Sequence, residues 1–286
     1  MYAQGMRGYV CVLMVMLPGV TACRSQHANT VVEAAADASG RPPQSLQLHT
    51  DDGWTLAATL YSGAPNDVSG GAVLLVHQLG SNRQEWRPLI ERLHATRAVP
   101  MLALDLRGHG ESTSAPAGSP SHWEDFGNDT ERWRGLTHDV SAGLQYLRNT
   151  LGATVLVVVG SSIGSSAALT VAAEDSSVAG LVMLSPGLSY HGLDTRGPMQ
   201  RYGALGRPAL LLAGDLDRPS AEAVPVLAGL GGEAVEHEVF GGVRVHGVAL
   251  CNAEPARWAR VEAWVRARLQ PRPAAQARDG GTGADR

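Results

Sequence analysis

Five runs of apolar residues, each followed by turn-forming or helical sequence, constrain this chain more than any other feature. AVLLVH (72–77), VPMLALD (99–105), TVLVVVG (154–160), VAGLVMLS (178–185) and PALLLAG (208–214) show no apolar-polar alternation. A strand with one wet face alternates, so these runs predict strands covered on both faces, as in a parallel sheet. Helical patterns fill the gaps. Ser81 or Asn82 caps a helix reaching about Ala95, with Trp86, Leu89, Ile90 and Leu93 on one face. Further helices are expected over about Leu136–Arg148, Ser162–Ala173, Ser220–Leu230 and Pro255–Leu269. SLQLHT and WTLAATLY around Asp51-Asp52-Gly53 predict a leading hairpin, and EAVEHEVF (233–240) a weaker last strand. Such alternation predicts an α/β fold with a mostly parallel, doubly wound sheet, whose function gathers at the carboxyl ends of its strands.

Composition allows one such sheet and few kinds of chemistry. With 286 residues and 44% hydrophobic content, the chain can bury a single core, and one folded domain over 45–270 is expected. A net charge of -4 and scattered arginines provide no basic face for nucleic acid. All 23 basic residues are arginines, which excludes a lysine Schiff base, a Ser-Lys dyad and a Walker-type phosphate loop. Neither H-E-x-x-H nor C-x-x-C occurs, so no cofactor is expected and only a metal site gathered from distant residues stays open.

Residues 1–22 follow the order of a signal peptide. A start charged only at Arg7 precedes an apolar run, Val10 to Leu17, too short to span a bilayer; Pro18-Gly19 breaks it before Cys23. Val20-Thr21-Ala22-Cys23 resembles a bacterial lipobox, which implies acylation of Cys23 and a membrane anchor in the cell envelope, with Arg24 favouring the outer membrane. An ordinary secretory signal, giving a periplasmic or secreted protein, is the alternative. Residues 23–44 then read as the lipidated cysteine with a flexible tether, and 271–286 as a disordered tail. With Cys11 removed and Cys23 acylated, Cys251 has no disulfide partner.

Between TVLVVV and the helix start SSAALTVAA lies Gly160-Ser161-Ser162-Ile163-Gly164, a G-x-S-x-G centred on Ser162. A sharp strand-to-helix turn strains its central residue and brings helix close to strand, so the neighbours must be small. Ser162 is therefore the candidate nucleophile, and the Ile163 N–H, at a helix start, a candidate oxyanion donor. A mere tight turn is the alternative reading. Ser161, Ser165 and Ser166 read as small packing residues.

In this context the chain resembles the α/β-hydrolase family over roughly residues 45–270. LLVHQLGSNRQEW is similar to the family's loop after its third strand, which implies the Leu79 N–H as second oxyanion donor and His77 as a structural residue. Gln78 stands where glycine is commoner. DLRGHGES (105–112) is similar to a loop-shaping segment, so His109 is not expected to be catalytic. The family's order of serine, acid and histidine implies Asp217, in Gly214-Asp215-Leu216-Asp217, as the acid, with Asp215 the alternative. It also implies His246, in GGVRVHGVAL, as the base. His191 precedes the acid and His237 lies inside a strand, so neither fits.

The connection 186–207 is too short for a large helical cap, and LSPGLSYHG within it resembles small bacterial dienelactone-hydrolase-like proteins. Trp123, Phe126 and Trp133 either line an acyl or aromatic pocket or pack in the core. The expected function is that of a carboxylesterase-like serine hydrolase, cleaving small-molecule esters through an acyl-enzyme on Ser162. Acyl transfer or peptide cleavage on the same triad, and a catalytically silent envelope scaffold, are the alternatives.

Overall fold

The computed structural model describes residues 42–63, 70–96 and 98–269. The signal peptide, Cys23, the tether before residue 42 and the tail 271–286 lie outside the described residues. The chain runs through β1 (Gln44–His49), β2 (Thr55–Tyr61), β3 (Gly71–Val76), α1 (Arg87–Thr96) and β4 (Met101–Leu104). Then come α2 (Thr130–Arg134), α3 (Leu136–Gln145), β5 (Val155–Ser161), α4 (Ile163–Ala172), β6 (Val178–Leu184), β7 (Ser189–Tyr190) and β8 (Leu193–Asp194). α5 (Arg196–Ala204), β9 (Ala209–Gly214), α6 (Arg218–Gly231), β10 (Val235–Phe240), α7 (Val248–Asn252) and α8 (Pro255–Arg268) complete it.

Eight strands form one sheet in the order β1-β2-β4-β3-β5-β6-β9-β10. β1 pairs antiparallel with β2, and β2 with β4; all other neighbours in this sheet are parallel. The five apolar runs are β3, β4, β5, β6 and β9, and the expected leading hairpin is β1–β2. The reason for their unbroken apolarity is visible in the core, which lies in two layers. Ala72, Leu74 and Val76 of β3 face one layer with α3 and α4, while Val73 and Leu75 face the other with α1 and α8. β9 divides the same way, Leu211 and Ala213 to one side, Leu210 and Leu212 to the other. Because period-two alternation sends side chains to opposite faces, both positions must be apolar when helices cover both faces.

Three departures from the sequence reading occur in the connections. α5 was not expected, because Gly197, Pro198 and Gly203 give it poor intrinsic helicity. Packing overrides that propensity: Pro198, Met199 and Tyr202 are buried, and the Tyr202 hydroxyl donates to the Pro208 carbonyl at 2.9 Å. The short β7–β8 hairpin and the single-turn helices α2 and α7 also escaped the pattern, being too short to show periodicity. With a two-residue hairpin and the nine-residue α5, the connection 186–207 carries no large cap.

The DLRGHGES segment shapes the loop after β4. The buried Asp105 carboxylate accepts the Arg83 and Glu111 amides at 2.7 and 2.8 Å and pairs with the Arg83 guanidinium. Ser112 Oγ donates to the Asp105 carbonyl at 2.6 Å and accepts the Ala57 amide at 2.8 Å, fastening the loop to β2. Since β3, β5, β6, β9 and β10 run parallel, the loops leaving their carboxyl ends open on the same edge of the sheet.

Candidate active site

The turn from β5 to α4 places Ser162 at φ 50° and ψ -121°, a conformation that L-residues rarely adopt. Its glycine neighbours are dictated by backbone contact. A Cβ on Gly160 would stand 2.5 Å from Ser165 Cα, and one on Gly164 2.3 Å from the His77 carbonyl oxygen. The Ser162 turn is therefore pressed against both its own helix and the end of β3. Ser162 N–H donates to the Leu184 carbonyl at 2.8 Å, and the Ser162 carbonyl accepts Ser165 Oγ at 2.6 Å. The Ser162 side chain is half-buried, so a substrate can reach it. The N–H groups of Ile163 and Leu79 have no hydrogen-bond partner among the described residues.

His77 fixes the loop that carries Leu79. Its Nε2 accepts the Leu106 amide at 2.9 Å, so the ring proton sits on Nδ1 and is donated to the Gln78 carbonyl at 2.7 Å. Burial, reinforced by the neighbouring His109, lowers its pKa to about 3, and with both nitrogens engaged it has no base to offer. A trans peptide holds C=O and N–H on opposite sides, so anchoring the Gln78 carbonyl sets the direction of the Leu79 N–H.

The Gln78 N–H in turn donates to Glu85 Oε1 at 3.1 Å. Burial pushes the Glu85 carboxyl from 4.5 up to about 7, against opposing hydrogen bonds from Ser81 and the Gln78 amide. The folded state then holds a proton that the unfolded chain has released. This contribution to stability is fully present below pH 4.5 and lost as pH rises through about 7. Glu85→Gln keeps an acceptor for Gln78 but does not titrate. It is expected to gain on the order of 1–2 kcal/mol over wild type between pH 5 and 8, allowing for solvent screening at this half-buried position. Urea unfolding at both pH values checks this; identical pH dependence in the two proteins would show that the carboxyl is ordinary.

At the far side of the site, His246 Nδ1–H donates to Asp217 Oδ2 at 2.7 Å. That bond leaves the Nε2 lone pair open to accept a proton. Asp217 is 10% exposed and His246 44%, so the carboxylate is sheltered while the imidazole is accessible to solvent. Asp215 is occupied elsewhere. Its Oδ1 accepts the Val243 amide at 3.0 Å, and the backbone amides of Gly242 and Val243 hold its carboxyl below the usual carboxylate range.

Ser185, which the sequence reading passed over, joins the histidine loop to the sheet. It sits at φ 49°, directly after β6, and its Oγ accepts the Gly247 amide at 2.8 Å. Leu184 and Ser185 thus hold the amides of Ser162 and Gly247, residues from two different loops. No hydrogen bond joins Ser162 Oγ to His246 Nε2 in this state.

Of the two readings open for the aromatics, core packing holds for Phe126 and Trp133. Phe126 and Trp133 are each only 2% exposed and belong to the core, where they meet edge to face at 5.3 Å; Trp133 also stacks on His191. Both pack in the core, and Phe126 also reaches a cleft beside Trp54, Arg107 and Arg132. Trp123 is half-buried, stacks on His109 and lies 3.5 Å from where a Cβ of Gly80 would be, next to Leu79. His109 Nδ1–H donates to the Arg107 carbonyl at 3.0 Å, and burial lowers its pKa, in keeping with a packing role. His237 points outward from β10. Among the described residues, one group has metal-ligand spacing, Asp51, Asp52 and His138, but Arg107 already binds Asp52. No described helix is long and apolar enough to cross a membrane.

Residues 71–194 match a protein family described as the alpha/beta hydrolase fold. An esterase of Pyrococcus furiosus superposes with a TM-score of 0.61 at 19% identity, covering 79% of this chain and 91% of its own. A thermostable carboxyl esterase of Bacillus coagulans gives 0.61 at 13% identity, covering 79% and 99%. A proline iminopeptidase of Mycobacterium smegmatis gives 0.56 at 13% identity, with the same coverage of 79% and 99%. No curated protein sequence matches this one. At these identities the likeness shows the fold.

Proposed function

We propose that this chain, which has the α/β-hydrolase fold, is a serine hydrolase of carboxylic esters. The observation that carries the reading is the 2.7 Å bond between His246 Nδ1 and Asp217, with the strained Ser162 on the adjoining loop. Asp217 fixes the tautomer of His246, whose Nε2 takes the Ser162 proton as Oγ bonds to the ester carbonyl carbon. The Leu79 and Ile163 amides stabilise the oxyanion. His246 returns the proton to the leaving alcohol, the C–O bond breaks, and an acyl-Ser162 remains. Water, deprotonated by His246, then releases the acid and restores the serine. A hydroxyl or amine in place of that water would give acyl transfer, and an amide substrate would give peptide cleavage.

No step in this scheme uses a metal or other cofactor. The amino-terminal sequence supports a further element of the proposal, that an acylated Cys23 tethers the domain in the bacterial envelope.

The test is treatment of the purified protein with a fluorophosphonate, with mass spectrometry locating the adduct. Labelling at Ser162, lost in His246→Ala, is the expected result. A folded protein that takes no label would favour the silent scaffold. Product analysis with added alcohols, amines and peptides separates hydrolysis from acyl transfer and peptidase activity.

A further inference from the structure

Gln78 sits where three loops of the site meet. Its Oε1 accepts the hydroxyl of Ser161 at 3.0 Å, and Ser161 is fully buried, one residue before Ser162. The same oxygen lies against the backbone of Gly247, the residue after His246. A Cβ built on Gly247 would stand 1.7 Å from Gln78 Oε1 and 2.5 Å from Ser161 Oγ. Gly247 also has φ 61° and is held from behind by Ser185 Oγ. The Gln78 backbone is fastened at both ends, its N–H on Glu85 and its carbonyl on His77 Nδ1 and the Ser81 amide. A rigid backbone with a side chain braced between two other loops transmits position from one loop to another.

We infer that Gln78 is a positioning residue, which sets the separation of the nucleophile turn and the histidine loop through Ser161 and Gly247. The inference rests on the serine hydrolase reading above. A side chain here must be long enough to reach Ser161, must accept a hydrogen bond, and must be uncharged beside the oxyanion amides; glutamine meets all three conditions. Glycine at 78 would leave the buried Ser161 hydroxyl without its acceptor and open a gap between the two loops. Ser161 therefore has a role beyond being small.

The test compares wild type, Gln78→Ala, Ser161→Ala and the double variant in steady-state hydrolysis of a p-nitrophenyl ester, with fluorophosphonate labelling and thermal unfolding alongside. Gln78→Ala is expected to lower kcat on the order of 10- to 100-fold with KM little changed, because a displaced base loses rate without losing ground-state binding. Ser161→Ala should do the same, and the double variant should fall no further than the worse single, since both remove one contact. Should Gln78→Ala not fold, Ser161→Ala carries the test, because it removes only a hydroxyl. An active wild type with unimpaired kcat in a folded variant, or fully additive losses, would overturn the positioning role alone. A wild type inert to both ester and probe would overturn the serine hydrolase reading and this inference with it.

Discussion

Replacing Ser162 by glycine is expected to abolish ester turnover, by on the order of 10⁶-fold in kcat, while making the protein more stable. The two effects share one cause. A residue with a Cβ at φ 50° and ψ -121° carries backbone strain of about 1–3 kcal/mol, and glycine does not. Glycine's larger unfolded-state entropy offsets up to about 1 kcal/mol of that relief, so the expected net gain is about 1 kcal/mol. The Ser162 hydroxyl makes no hydrogen bond to a described residue, so its removal breaks no internal hydrogen bond. Ser162→Ala should lose turnover to the same extent without the gain, because alanine keeps the Cβ. Urea unfolding of the three proteins, with kcat measured on the same preparations, reads both quantities. Turnover surviving in either variant would remove Ser162 from the chemistry; equal stability of the glycine and alanine forms would limit the strain to about the 1 kcal/mol that glycine's entropy offsets.

The sheet was legible because its central strands are covered twice. Burial on both faces demands apolar residues at every position, so β3, β5, β6 and β9 appear in the sequence as unbroken runs with sharp ends. α5 was not legible, since its helix depends on contacts of Met199 and Tyr202 with distant segments rather than on its own residues. At the site, Ser162 could be found because the steric demands of its turn are local: Gly160 and Gly164 are needed by backbone within a few residues or on the adjacent strand. The bracing residues could not, because what they touch lies far along the chain. Gln78 looked like a mere departure from glycine until Ser161 and Gly247 were seen against its side chain. Ser185 had only the local signal of a serine between a strand and Pro186-Gly187. The aromatics stayed open for a different reason: Phe126 and Trp133 have the same composition signal as Trp123, and only three-dimensional packing separates core from rim.

Asp217→Asn is expected to lower kcat on the order of 10⁴-fold with the fold intact, whereas Asp215→Asn should leave kcat within a few-fold of wild type. Both carboxylates lie at the end of β9 two residues apart, and the sequence alone leaves either able to serve. Their partners differ. Asp217 accepts the Nδ1 proton of His246, which selects the neutral tautomer whose lone pair is on Nε2. An asparagine there can present its NH₂ instead, drawing the imidazole into the other tautomer and placing the ring proton where the lone pair is needed. Asp215 faces loop amides, so its replacement weakens the 242–243 turn without touching His246. The two variants therefore differ in which bond they remove while deleting the same charge from the same loop. If long-range electrostatics rather than tautomer control supported the base, both would lose activity to a similar degree. A large loss confined to Asp217→Asn, with KM nearly constant, would assign the effect to the hydrogen bond itself.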